Sequence, residues 1–205
     1  MSACCPTSIQ VYTRLLRAWG ATTPWTVTIG TAGGRYVDFK CAPELIRETL
    51  EDLPRVAGTV AECAIIDFLT WANGPSSIFE TNDFGARPLK SNESGVSPKA
   101  LEQQCRLGVL FRDLARNTGS GDLIQTAGQL EAAIKRTDPD FDQACWGWCL
   151  WPHLFTTLGP ESPHSEGHVI QYNLWAWGDD PDEVHANIVR GFANLREALQ
   201  QVEAC

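Results

Sequence analysis

The residue types in this chain that could do chemistry gather in three stretches. Cys145, Cys149, His153, His164 and His168 offer the thiol and imidazole ligands that zinc takes. Their spacing argues against a joint site, because C-x-x-x-C on a strand sets the two cysteines about 13 Å apart, too far for one ion. His153, His164 and His168, placed in a connecting loop, remain as metal candidates against the simpler reading of solvated loop histidines. No cofactor is expected. Gly119-Ser120-Gly121-Asp122 is a glycine turn leading into a helix, the kind of place that can cradle phosphate. Here Asp122 would cap the helix and repel an anion, and no P-loop Lys follows. In FETNDFGARPLK, Glu80, Asn82, Asp83, Arg87 and Lys90 could hold a hard cation or a polar ligand, and the two carboxylates could serve acid–base work. The same residues are equally good turn formers.

The tryptophans pose a separate question. CWGWCLWPHLF holds three of the eight and HVIQYNLWAWG two more. Side chains alternate along a strand. Ile170, Tyr172, Leu174 and Ala176 should therefore face one way and Gln171, Asn173, Trp175 and Trp177 the other. In the preceding strand Trp146, Trp148 and Leu150 share a side opposite Cys145, Gly147, Cys149 and Trp151. Rings then stand on both faces of the sheet, so either the N-terminal half covers the second face or that face binds something. Trp146, Trp148, Trp175 and Trp177 are accordingly candidate contacts. Trp175 is expected to be structural and Trp177, next to Gly178, to border a groove.

The elements that must position these residues follow from periodicity. Ile9, Tyr12, Leu15, Leu16 and Trp19 predict an amphipathic helix over 8–19. Trp25 to Ile29 and Arg35 to Cys41 flank a glycine-rich turn and predict a hairpin, whose edge could accept an added strand. A helix should run from Pro43 to about Leu53, and the apolar run from Glu62 to Trp71 fits either a helix or a buried strand. Residues 73–97 read as a long connection. Cys105, Leu107, Val109 and Phe111 alternate with Arg106, Leu110 and Arg112, which predicts a strand and adds Arg112 to the candidate contacts. A helix follows to about Arg136, then the two tryptophan strands, then a helix capped by Asp180, Pro181 and Glu183. The expectation is one α+β domain over 1–205. It comprises helix, hairpin and helix in 1–72, the connection 73–97, and a ferredoxin-like βαββα unit over 98–205 with a mostly antiparallel sheet.

Composition bounds the function. The 205 residues are 43% hydrophobic and 20% charged, as in an ordinary globular domain. A net charge of −9 argues against nucleic acid and against anionic membrane surfaces. The first twenty residues lack the continuous apolar core of a signal or membrane segment, so a cytoplasmic location is expected, with all eight cysteines as thiols. No nucleophile with a nearby base is legible. The reading therefore leans to a non-catalytic interaction protein for a protein or peptide partner, either an immunity-type inhibitor or an accessory subunit presenting a peptide to a catalytic partner. The alternative is a small-molecule or metal-dependent enzyme or binder using the tryptophan face and the Glu80 to Lys90 stretch.

Overall fold

Cys105, Leu107, Val109 and Phe111 recur at every second position, and all four are buried. A strand so patterned needs a sheet neighbour on each edge and a cover on its apolar face. The computed structural model, which describes residues 13–16, 26–29, 34–37, 39–40, 42–50, 53–156 and 164–203, supplies both. The strands described are β1 (Thr13–Leu16), β2 (Thr26–Ile29), β3 (Gly34–Val37), β4 (Phe79–Ala86), β5 (Lys90–Ser91), β6 (Leu101–Phe111), β7 (Ala144–Thr156) and β8 (His164–Gly178). The main sheet has the order β1-β7-β8-β6-β4, and β5 also pairs with β6. Its pairings are antiparallel except for β1 on β7. β2 and β3 form a separate antiparallel pair.

The helices are α1 (Ile46–Thr49), α2 (Val60–Ala72), α3 (Ser120–Thr137) and α4 (Pro181–Glu203). Val184, Ile188, Phe192, Leu195 and Leu199 recur at spacings of three and four and are buried, so α4 turns one stripe to the sheet. It touches α2, α3 and β8. Phe68 of α2 and Trp146 of β7 both meet the Phe192 ring edge-on, at 5.3 and 5.7 Å. A helix approaches a strand this closely only where side chains allow it. At Gly191 a Cβ would come within 2.8 Å of the Leu174 side chain, so glycine is what lets α4 settle onto β8. The start of α4 is held by Asp180, whose carboxylate accepts from the Glu183 amide at 2.8 Å. Glu183 in turn accepts from the Asp179 amide at 2.7 Å, one residue earlier than a standard capping box.

The structure is α+β, a mostly antiparallel sheet with helices packed on it, as expected from the sequence. The order β6, α3, β7, β8, α4 is the expected βαββα succession. A ferredoxin-like unit would need a further strand after α4. Among the described residues none follows, and β4, from earlier in the chain, lies beside β6 instead.

Several expectations are corrected. Thr13–Leu16 is strand rather than helix, paired with His153–Thr156; the edge of β7 outweighs the local helical spacing. The rest of the expected helix over 8–19 lies outside the described residues, as does most of the glycine-rich turn between β2 and β3. The helix expected from Pro43 to Leu53 is broken into a 3-10 turn at Pro43–Leu45, α1, and a second 3-10 turn at Leu53–Val56. Glu62 to Trp71 resolves as helix, within α2. The connection 73–97 is largely structured, because β4 and β5 fall inside it. Its Asn and Gly content hid a strand with a bulge between Thr81 and Asp83. Asn92 then orders the turn that follows, donating to the carbonyls of Ser97 and Lys99 at 2.9 Å. α3 starts at Ser120 with Gly119 as N-cap, so Asp122 is a first-turn acid and not the cap. The tryptophan strands are longer than expected. His153 and His164 are paired strand residues, not loop residues.

Candidate functional site: the open face of the sheet

Alternation assigns each strand residue to a face. Phe79, Phe84, Ala86, Cys105, Leu107, Ile170, Tyr172 and Leu174 turn toward the helices and belong to the core or pack against it. Trp146 and Trp148 are on that side too. The Trp146 indole donates to the Gly191 carbonyl at 3.3 Å and stands edge-on to Tyr172, while Trp148 packs against the same core. Both indoles serve the helix layer, so neither is on the face the helices leave open.

On that open face the strands align in rungs. Asp83, Gly108, Gln171 and Cys149 form one, and Gly85, Arg106, Asn173 and Gly147 the next. The third runs through Gln104, Trp175 and Cys145, with the Arg87 amide donating to the Gln104 carbonyl at 2.8 Å. Three of these positions are glycine, and two of the three are overlain by a neighbour's side chain. A Cβ on Gly147 would stand 3.1 Å from the Trp175 ring, and one on Gly108 would overlap the Asn82 amide. Gly85, the third, lines a hollow in this face. A cavity of about 320 Å³ lies there, lined by Arg55, Arg87, Gln104, Arg106, Gln171 and Asn173 together with the backbone of Gly85 to Pro88.

The cavity is polar and cationic. Arg106 holds the Asp83 carboxylate through Nε at 2.6 Å and Nη2 at 3.3 Å, a two-pronged contact between partly exposed groups. Arg55 donates to the Ala86 carbonyl at its rim. Arg87 is exposed, and its guanidinium has no hydrogen-bond or ion-pair partner among the described residues. Gln104 and Gln171 both donate to Asn173 Oδ1, at 3.3 and 3.5 Å. That leaves Asn173 Nδ2 without an acceptor among the described residues. Such a site can receive an acceptor group, above all a carboxylate or another oxyanion.

The remaining candidates fall elsewhere. Trp177 lies on the open face but is buried, 4% exposed, with its indole donating to Glu102 at 3.3 Å. Lys90 engages the same Glu102 carboxylate. Trp177, expected to border a groove, is thus packed, and Trp175, expected to be structural, is half-buried. Glu80 is buried and ion-paired with Lys40. Glu80 and Asp83 thus each have their own cation and do not form a joint acid–base pair. Asn82 sits at the bulge over Gly108. Arg112 donates to the carbonyls of Asn73 and Gly74 at 3.1 and 2.6 Å, closing the C-terminal end of α2.

His168 is half-buried in β8, and the side chains of His153 and His164 lie outside the described residues. Among the described residues no three His, Cys, Asp or Glu side chains converge on a metal position. Cys63, Cys105, Cys145 and Cys149 are thiols; Cys4, Cys5, Cys41 and Cys205 lie outside the described residues. Cys145 is exposed by area, yet neighbouring atoms desolvate it enough to raise the thiol pKa. It stays protonated at neutral pH and is a poor nucleophile.

Sequence reasoning missed Arg55 and Gln104 as site residues and treated Arg106 only as part of an alternating strand. The available signal was the polar run Gln171, Asn173 opposite Arg106, visible once the two strands are paired. No family model, no curated protein and no solved structure matches this chain.

Proposed function

We propose that this protein is a non-catalytic binding protein whose open sheet face receives a segment of a protein or peptide partner. The observation that carries this reading is a hollow on the face away from the helices, lined by the uncommitted Arg87 and by Gln104, whose strand partner is the half-buried Trp175. Aromatic and arginine side chains of this kind dominate protein recognition, because each brings large area or several donors at modest entropic cost. The separate cation partners of Glu80 and Asp83 favour binding over acid–base chemistry. Inhibition of an effector, as immunity proteins perform it, and presentation of a peptide by an accessory subunit are two forms of such a role. Strand addition at the edge of the β2–β3 hairpin is a further way such a partner could dock. A cytoplasmic setting accords with the thiols. No described helix is long and apolar enough to cross a membrane.

A second reading, a small-molecule binder, has one observation in its favour: the cavity volume of about 320 Å³ is at the lower end of ligand pockets. Affinity capture from the native host with wild-type protein and with Trp175→Ala separates the two. The partner reading expects one stoichiometric protein with the wild type and at least about a tenfold loss with the variant at unchanged melting temperature. A co-purified metabolite and equal protein capture by both forms would overturn it.

A further inference from the structure

We infer that the open-face hollow reads a carboxylate, so that the segment it receives is acidic; this rests on the partner-binding reading above. The chain carries 25 acidic and 16 basic residues, yet three of the side chains lining this hollow are arginines and the rest of its named side chains are amides. A concentration of one sign against the net charge of the molecule marks a local preference for the opposite sign.

The geometry already displays the contact. Asp83 supplies an internal carboxylate to Arg106, which grips it through Nε and Nη2. Nη1 of Arg106 makes no hydrogen bond among the described residues, and neither does the guanidinium of Arg87. With Asn173 Nδ2 these groups form a set of uncommitted donors at the hollow, and the Asp83 carboxylate is the one ionised acceptor among the described residues that engages any of these side chains. A guanidinium presents its donors in a planar fork that matches a carboxylate. Trp175 borders the same rung as Gln104, so an extended segment can lay an apolar side chain on the indole while its acid enters the hollow. A peptide is the occupant argued for, over a free anion, because the lining residue Gln104 is paired with Trp175, which offers an apolar contact next to the donors.

The test uses the full chain labelled with nitrogen-15, titrated at constant ionic strength with hexaglutamate, hexaglutamine and inorganic phosphate. Hexaglutamate should produce saturable shifts at the amides of Arg87, Gln104, Arg106 and Asn173 and at the Trp175 indole, whereas hexaglutamine and phosphate should not. Arg87→Gln, on an exposed side chain, should weaken hexaglutamate binding by about tenfold or more with the melting temperature unchanged. Asp83→Asn should strengthen it by roughly twofold to fivefold, since it removes the competing internal carboxylate. Phosphate binding at these residues without hexaglutamate binding would overturn the peptide assignment. Equal shifts by hexaglutamine would overturn the carboxylate preference while leaving a peptide-binding face in place. Absence of shifts with every probe would overturn the inference, and the Trp175→Ala capture experiment would then decide the broader reading by itself.

Discussion

Trp175 and Trp177 stand two residues apart on one face of one strand, and their surroundings are opposite. Trp177 is buried and bonded to Glu102, so Trp177→Ala removes a large ring from packed surroundings and leaves a buried carboxylate without its indole donor. It should cost about 3 to 5 kcal/mol in denaturant melts. Trp175→Ala should cost about 1 kcal/mol, because half-exposed side chains away from special contacts contribute little. Equal losses at both positions would show that the hollow is part of the folding core. Lys40 offers a second test. Its ammonium pairs with the buried Glu80 carboxylate, and Lys40→Ala would remove that partner. A loss of about 3 to 5 kcal/mol is expected, and Lys40→Ala combined with Glu80→Leu should recover most of it, as measured by the same melts.

The glycine in the middle of α4 is the test at the level of an element. By helix propensity alone, Gly191→Ala should stabilise the helix by about 1 kcal/mol. The added methyl would instead meet Leu174 at 2.8 Å, and the Trp146 indole donates to the Gly191 carbonyl. A net destabilisation of about 1 to 3 kcal/mol is expected, the range for overpacked cores. At Gly128 in α3 an added methyl would meet nothing within 4 Å. Gly128→Ala should therefore show the opposite sign, a gain of about 0.5 to 1 kcal/mol. Thermal unfolding of the two variants side by side reads the contrast. If both stabilise, α4 does not press on β8 at Gly191.

Stability of the whole molecule should fall on acidification in two stages. Burial holds the pKa of His185 below its ordinary 6.5, outweighing the pull of Asp182. The unfolded chain therefore takes up a proton there first, and stability declines as pH drops below about 6.5 toward the lower folded value. The second stage belongs to carboxylates. Arg190 and then Asn194 hold Asp138 below the usual range, Lys99 does the same for Asp179, and Lys135 for Glu131. Glu183 is lowered chiefly by the Asp179 amide and next by Lys99. Depressed carboxylates stabilise above their unfolded pKa near 4 and lose that contribution as pH falls through the folded value. Melting temperatures across the range should show both declines, and His185→Gln should flatten the first while leaving the second. A first decline unchanged in that variant would assign it to another group.

What the sequence determined by itself was local. The alternation in β6 and β8, the three-and-four spacing of α4 and the Asp180 cap each depend on neighbours within one or two turns or rungs, so they are legible without a fold. The α+β class follows from their succession. Tertiary structure decided the rest. Thr13–Leu16 carries a helical spacing but lies as a strand on the edge of β7, and the Asn- and Gly-rich stretch after Phe79 becomes β4 because β6 has an unfilled edge. The hollow was half legible. Gln171, Asn173 and Trp175 could be placed on one face by alternation, but Arg55 and Arg87 reach it from segments distant in sequence. Burial at Trp177 against exposure at Trp175 likewise depends on Glu102 in the neighbouring strand. Periodicity records which way a side chain points; only the pairing of distant segments records what it meets there.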